Sequence, residues 1–251
     1  MIEWAQQHER VEIDPVAYYR LLGYPLGVEP GERALELAEW AVAWYAEQGR
    51  GWTYAREAAS VAWRDGAVVV DGVALHARRL HKLLAQTHAA GAVLVAASAG
   101  PALEAEAARC WRDERPDEYF FLETLGSAVV ERLVMDAGAR LCAWAEARDL
   151  SVLPHDGPGY AGWDVGEQPR LLSLLSTACR VEWPGPLESL ESGALRPKKS
   201  QLAVFGLAPR SENEIARAAL VPCHNCPAAS CQYRRAPYRL AAASCRTPKR
   251  P

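Results

Sequence analysis

The segment from Leu122 to Ala147 is the longest helical stretch in the chain, and it limits the possible folds more than any other feature. Near its start, Gly126, Ser127 and Ala128 form a patch of small residues, which lets a neighbouring element approach closely. No apolar run reaches the ~18 residues that a membrane-spanning helix needs. The long helix is therefore expected to be covered by other elements of the same body.

Two apolar runs supply such elements. Ala92 to Ala97 (AVLVAA) reads as a buried strand, ended by Ser98-Ala99-Gly100. Leu202 to Leu207 (LAVFGL) reads as a second strand. Ala55 to Trp63 and Ala67 to Val70 have strand character, and Arg64-Asp65-Gly66 between them predicts a hairpin turn. Val181-Glu182-Trp183 is a further strand candidate. Asp14-Pro15 predicts a helix start, with the aspartate as cap and the proline in the first turn. Glu32 to Glu47 carries an apolar stripe through Leu35, Ala38, Val42 and Tyr45. Helices are also expected over Leu75 to Ala89, Pro101 to Trp111 and Leu171 to Ala178, and Pro154 to Pro169 is expected to be a loop. Together these predict a mixed α and β domain over residues 1–214, followed by a short cysteine-rich tail over 215–251.

The tail differs in charge from the rest. Formal net charge is −3, but Glu214 is the last acidic residue and seven basic residues follow it. The tail is thus +7 and the remainder −10. Such asymmetry fits either a tail that docks on an acidic partner or one that folds back over its own acidic body. Half the residues are hydrophobic and 24% are charged, which argues against disorder. Met1-Ile2-Glu3-Trp4 lacks a basic region followed by an apolar stretch, so a cytoplasmic address is expected. Cys110, Cys142 and Cys179 lie in apolar or helical surroundings and read as core residues.

The loop His155-Asp156-Gly157-Pro158-Gly159-Tyr160-Ala161-Gly162-Trp163-Asp164 is the most informative stretch. Its glycines let backbone approach a ligand, and Pro158-Gly159 makes a tight turn. Tyr160 and Trp163 offer flat faces, while Asp156 and Asp164 offer carboxylates, a set suited to a cationic small molecule. The alternative is a surface loop whose aromatics pack down on the core.

The order of motifs resembles the activation domain of vitamin B12-dependent methionine synthase, in a stand-alone form. The family pattern of an arginine, two residues and Pro-Gly-Tyr, then a helix with paired leucines, is similar to His155 through Tyr160 followed by Arg170-Leu171-Leu172-Ser173-Leu174-Leu175. Ser192 to Ser200, leading into Leu202 to Leu207, resembles the family's downstream small residue, proline and strand-opening serine. Tyr119 to Glu131 resembles its tyrosine followed by a Gly-Ser helix. The resemblance spans roughly residues 10–210.

It implies a helmet-like α+β fold, with a central antiparallel sheet and flanking helices. It also implies binding of S-adenosylmethionine, whose sulfonium methyl is presented to a cobalamin held elsewhere. One external electron and this methyl then restore methyl-Co(III) from inactive Co(II). Because no Asp-x-His-x-x-Gly segment occurs here, the cobalamin is expected on a partner corrinoid protein, with an electron donor protein as a second partner. The resemblance points to His155, Pro158, Gly159 and Tyr160 as binding residues, with Tyr160 near the transferring methyl, and the loop's own aromatic and acidic groups add Trp163 and Asp164.

His155 stands where the family has its arginine, and histidine lacks the planar two-pronged guanidinium. Arg170, Lys198 and Lys199 are the candidate substitutes. The departure leaves a second reading open: a non-catalytic corrinoid-protein partner, or metal-containing adaptor, that has lost S-adenosylmethionine. A third is methyl transfer to a thiol activated by tail-bound zinc.

Cys223-x2-Cys226-x4-Cys231, followed by Cys245, places three thiolates within nine residues and suits one metal or cluster, the alternative being free or redox-exchanging thiols. Cys245 and His224 both qualify as the fourth ligand. The spacing does not separate an iron–sulfur cluster from zinc, and the electron consumed in the implied reaction favours the cluster. Other chemistry lacks support. There is no phosphate-binding glycine loop and no Gly-x-Ser-x-Gly elbow. His76, His81 and His88, expected on one helix, read as surface residues. Trp40 and Trp44 read as core. The basic tail has no nucleic-acid-binding module beside it.

Overall fold

The computed structural model describes residues 1–210 except Glu9 and Leu26, so the four tail cysteines and His224 lie outside the described residues. The chain opens with β1 (Glu3–His8), α1 (Pro15–Leu21) and α2 (Glu32–Gln48). It continues through β2 (Gly51–Glu57), β3 (Val61–Arg64), β4 (Ala67–Val70), β5 (Val73–Leu75) and α3 (Arg78–Gln86). Then come β6 (Gly91–Ser98), α4 (Pro101–Arg112), α5 (Pro116–Glu146) and β7 (Leu150–Val152). A 3-10 turn (Val165–Glu167), α6 (Gln168–Thr177), β8 (Glu188–Ser189), β9 (Leu195–Arg196) and β10 (Ser200–Pro209) complete it.

The main sheet is antiparallel throughout, in the order β1-β2-β6-β10-β7. The central runs of β6 (Ala92 to Ala97) and β10 (Leu202 to Leu207) are apolar without a break because both faces of the sheet are covered there. Val93, Val95 and Ala97 of β6, with Ala203, Phe205 and Leu207 of β10, join a core with α1, α2, α4 and α5. Leu94, Ala96, Leu202 and Val204 join a second core with α3, α6 and the small β3-β4-β5 sheet. The architecture is the expected α+β one, with a central antiparallel sheet and flanking helices. No helix among the described residues is long and apolar enough to cross a membrane.

The 31-residue helix α5 is the spine of the first core. Gly126 lets it approach its neighbours, because a β-carbon there would lie 2.7 Å from Lys199 Cγ and 3.0 Å from Leu103 Cδ2. Buried Tyr18 and Tyr45 tie α1 and α2 to this core, donating to the carbonyls of Phe121 (2.8 Å) and Ala99 (2.9 Å). Asp14 caps α1 as expected, accepting from the Val16 amide at 3.0 Å. The β3–β4 turn is also as expected, with Asp65 and Gly66 both at positive φ (53° and 77°), as two-residue hairpins require.

Several elements differ from the sequence expectation. The stretch Ala55 to Trp63 splits between β2 and β3, which belong to different sheets. Leu75 closes β5, paired with Val68, so α3 starts only at Arg78. His76 therefore precedes that helix and His88 follows it, and the three histidines do not share one. Val181 to Trp183 is not a strand. Trp183 instead packs against Trp52 and Tyr54, with ring centroids 5.7 and 4.8 Å away.

Candidate functional site

The loop after β7 keeps running along the edge of β10. The Leu153 amide donates to the Gly206 carbonyl at 2.8 Å, and Asp156 exchanges both backbone bonds with Val204, at 3.0 and 2.7 Å. Strand alternation then sends neighbouring side chains to opposite faces. His155 packs on Phe205 of the first core, with ring centroids 5.2 Å apart. Asp156 meets Arg79 of α3 on the other side, accepting from Nε at 3.1 Å and Nη2 at 2.9 Å. Arg79 also donates to the His155 carbonyl at 3.3 Å. Burial, the largest influence, pushes the Asp156 carboxyl above its ordinary value, while Arg79 and the Gly157 amide pull it back.

The Pro158-Gly159 turn is closed by three backbone bonds. They run from Tyr160 to the Gly157 carbonyl (3.1 Å), from Trp163 to that of Tyr160 (3.0 Å) and from Gly159 to that of Trp163 (3.0 Å). Gly159 has φ of 93°, and among the described residues a β-carbon built on it would meet nothing within 4 Å, so they leave the crown of the turn open. Half-buried Tyr160 stands beside it. Its hydroxyl accepts from Gln201 Nε2 at 2.9 Å and lies 3.3 Å from His155 Nε2. The Arg79 guanidinium carbon lies 5.6 Å from the centre of its ring. Tyr160, Gln201 and His155 thus form a polar group at the sheet edge beside Gly159.

The other expected binding residues are placed differently. Trp163 is 3% exposed and belongs to the second core, its indole N–H donating to Glu167 Oε2 at 2.9 Å. It therefore offers no face to a ligand, which is the packed alternative raised by the sequence. Asp164 is exposed and caps the 3-10 turn, accepting from the Gly166 amide at 2.7 Å. His155 is only 6% exposed and its ring is engaged by Tyr160 and Phe205, so it does not replace a ligand-binding guanidinium.

The three candidate substitutes are also engaged. Arg170 pairs with Glu167 at 2.9 Å, Lys198 with Glu123 at 2.7 Å and Lys199 with Glu123 at 3.3 Å. The cation brought to Tyr160 is Arg79, which the sequence reading missed, as it missed Gln201. Both are distant in sequence and carry no local signal. Among the described residues no group of His, Cys, Asp and Glu side chains could hold a metal ion.

No family model and no curated protein matches this chain. Solved structures do match it. One is described as the crystal structure of the MetH reactivation domain bound to AdoHcy, with a TM-score of 0.60 over 84% of this chain and 80% of that one, at 13% identity. At that identity the likeness is one of fold: the chain folds as the MetH reactivation domain does.

Proposed function

We propose that this protein binds S-adenosylmethionine over the Pro158-Gly159-Tyr160 turn and presents its methyl to a cobalamin on a partner protein. In the overall change, one electron from a donor protein and the sulfonium methyl convert Co(II) to methyl-Co(III). S-adenosylhomocysteine is left behind. The observation that carries the reading is the placement of Tyr160: at the open crown of a closed turn, with its hydroxyl fixed by Gln201, in a reactivation-domain fold. Gln201 Nε2 at 2.9 Å and His155 Nε2 at 3.3 Å fix the hydroxyl in place beside the turn. The tyrosine face supplies the negative quadrupole that a sulfonium favours.

Cys223, Cys226, Cys231 and Cys245 of the tail would hold a metal centre, with His224 as the other fourth ligand. An iron–sulfur cluster there supplies one-electron chemistry, and zinc supplies a structural clamp. A cytoplasmic address accords with this role.

Calorimetry on anaerobically purified full-length protein tests the reading. Micromolar binding of S-adenosylmethionine and S-adenosylhomocysteine is expected, with Tyr160→Ala weakening it at least tenfold. Tyr160→Phe should lose part of that, since it removes only the hydroxyl. One observation favours the second reading, a corrinoid-protein partner without the methyl donor: His155 is buried where the family's arginine stands. That reading takes over if neither ligand binds at millimolar concentration while the corrinoid protein still associates.

A further inference from the structure

The corner where α4 runs into α5 holds a second site, built from residues outside the Pro-Gly-Tyr turn. A cavity of about 340 Å³ opens there, lined by Ala108, Trp111, Arg112, Tyr119 and Lys198. That volume lies at the small end of ligand pockets, which run from roughly 300 to 1,000 Å³. The walls are aromatic. The Trp111 and Tyr119 rings lie 5.1 Å apart, inclined at 58°, and Trp111 is 62% exposed. Ala108 precedes Arg112 by one helical turn, and its short side chain leaves the space between them open.

The charges around the cavity are unequal. Lys198 stands over the Tyr119 ring at 5.4 Å and is paired at 2.7 Å with Glu123, which Lys199 shares at 3.3 Å. Arg109, next along the exposed side of α4, is tied to Glu106 at 2.6 Å and Asp113 at 3.2 Å. Arg112 makes no hydrogen bond or ion pair among the described residues. A guanidinium is charged at any physiological pH and matches a carboxylate with two parallel bonds.

We propose that this corner binds a small planar aromatic carboxylate, with its ring against Trp111 and Tyr119 and its carboxylate on Arg112. The site is too small for a peptide segment, and the positive charge of Arg112, unpaired among the described residues, selects an anion over a neutral ring.

Equilibrium dialysis of the full-length protein with 2-naphthoate and with neutral 2-naphthamide tests this. Naphthoate should bind about tenfold more tightly than the amide, the increment of one charge-assisted contact. Arg112→Gln should remove that preference and leave amide binding unchanged. Trp111→Ala should abolish binding of both. Both side chains are exposed, so these variants should keep the wild-type circular dichroism spectrum. Ala108→Leu, which fills the cavity, gives an independent arm and should block both ligands. Equal affinity for the two probes overturns the proposal. So does naphthoate binding that survives Trp111→Ala, or its absence up to 10 mM, roughly 3 kcal/mol of affinity. Loss of corrinoid-protein association in Trp111→Ala without any naphthoate binding overturns it in favour of a protein-docking surface.

Discussion

The pair Arg79–Asp156 shows what one residue contributes to the loop. Asp156 is 1% exposed, so its carboxylate has left water almost completely, and Arg79 supplies the two bonds that replace it. Removing one partner from such a pair leaves the other charge uncompensated, which typically costs ~3–5 kcal/mol. Arg79 keeps a 20% exposed side chain, so Arg79→Ala should cost about 3 kcal/mol, the lower end of that range. The deficit should depend on pH in a definite direction. Burial already raises the Asp156 carboxyl, and losing Arg79 raises it further. The protonated, neutral form needs the arginine less. Urea unfolding should therefore show a smaller deficit near pH 4 than at pH 7, and Arg79→Ala/Asp156→Ala should recover much of it. An equal deficit at both pH values would mean that packing, not charge, is what Arg79 contributes. The residues of this site were unevenly legible in the sequence. His155 and Tyr160 lie five positions apart in one motif, so their proximity could be read directly. Arg79 and Gln201 reach Tyr160 and Asp156 only because α3 and β10 fold against the loop, and no sequence pattern encodes that contact. Trp163 misled for the opposite reason: beside a Gly-rich turn it resembles a ligand platform, yet its partner Glu167, four positions on, draws its indole inward.

At the scale of elements, the segment from Trp163 to α6 is held by one side chain. Glu167 accepts from the His76 amide (2.8 Å), His76 Nδ1 (2.9 Å), Trp163 Nε1 (2.9 Å) and Arg170 (2.9 Å). It thereby clamps the 3-10 turn to the end of β5. Burial acts to raise the Glu167 carboxyl, but the bonds from His76 and Trp163 outweigh it and hold the group below its ordinary 4.5. A carboxyl lowered on folding adds stability that is complete above the unfolded value and lost as pH falls through the folded one. Glu167→Gln should therefore cost about 1–3 kcal/mol at pH 7, with the gap to wild type narrowing below pH 4.5. Unfolding midpoints at pH 7, 4 and 3 measure this, and a gap that widens on acidification would contradict it. Element legibility followed burial. The buried strands β6 and β10 stood out as apolar runs. Edge strand β1 (EWAQQH) is mostly polar and gave no signal, and β7 is only three residues long. Leu75 and Ala77, both fully buried, extended the apparent helix backwards into β5.

In the whole molecule, the sheet separates two cores, and the candidate turn straddles its edge between them, His155 on one side and Asp156 on the other. A ligand held there contacts a loop fixed from both cores, so its binding energy is coupled to global unfolding. Ligand at a hundredfold excess over its dissociation constant adds ~2.7 kcal/mol to the native state. In a body of this size that corresponds to a rise in Tm of about 5–10 °C. The tail lies outside the described residues, and its cysteines were read from spacing alone. Domain and tail are expected to act as separate binding units, and separate sites contribute additively. Four measurements then form a square: wild type, Tyr160→Ala, Cys226→Ser and the double variant, each scanned with and without S-adenosylmethionine and assayed for bound iron and zinc. Tyr160→Ala should lose the thermal shift and keep the metal. Cys226→Ser should lose the metal and keep the shift, because Gln201, His155 and Arg79 of the folded body hold Tyr160 beside the turn. A shift that disappears in Cys226→Ser would instead make the tail part of the S-adenosylmethionine site, and the division at residue 214 would be wrong.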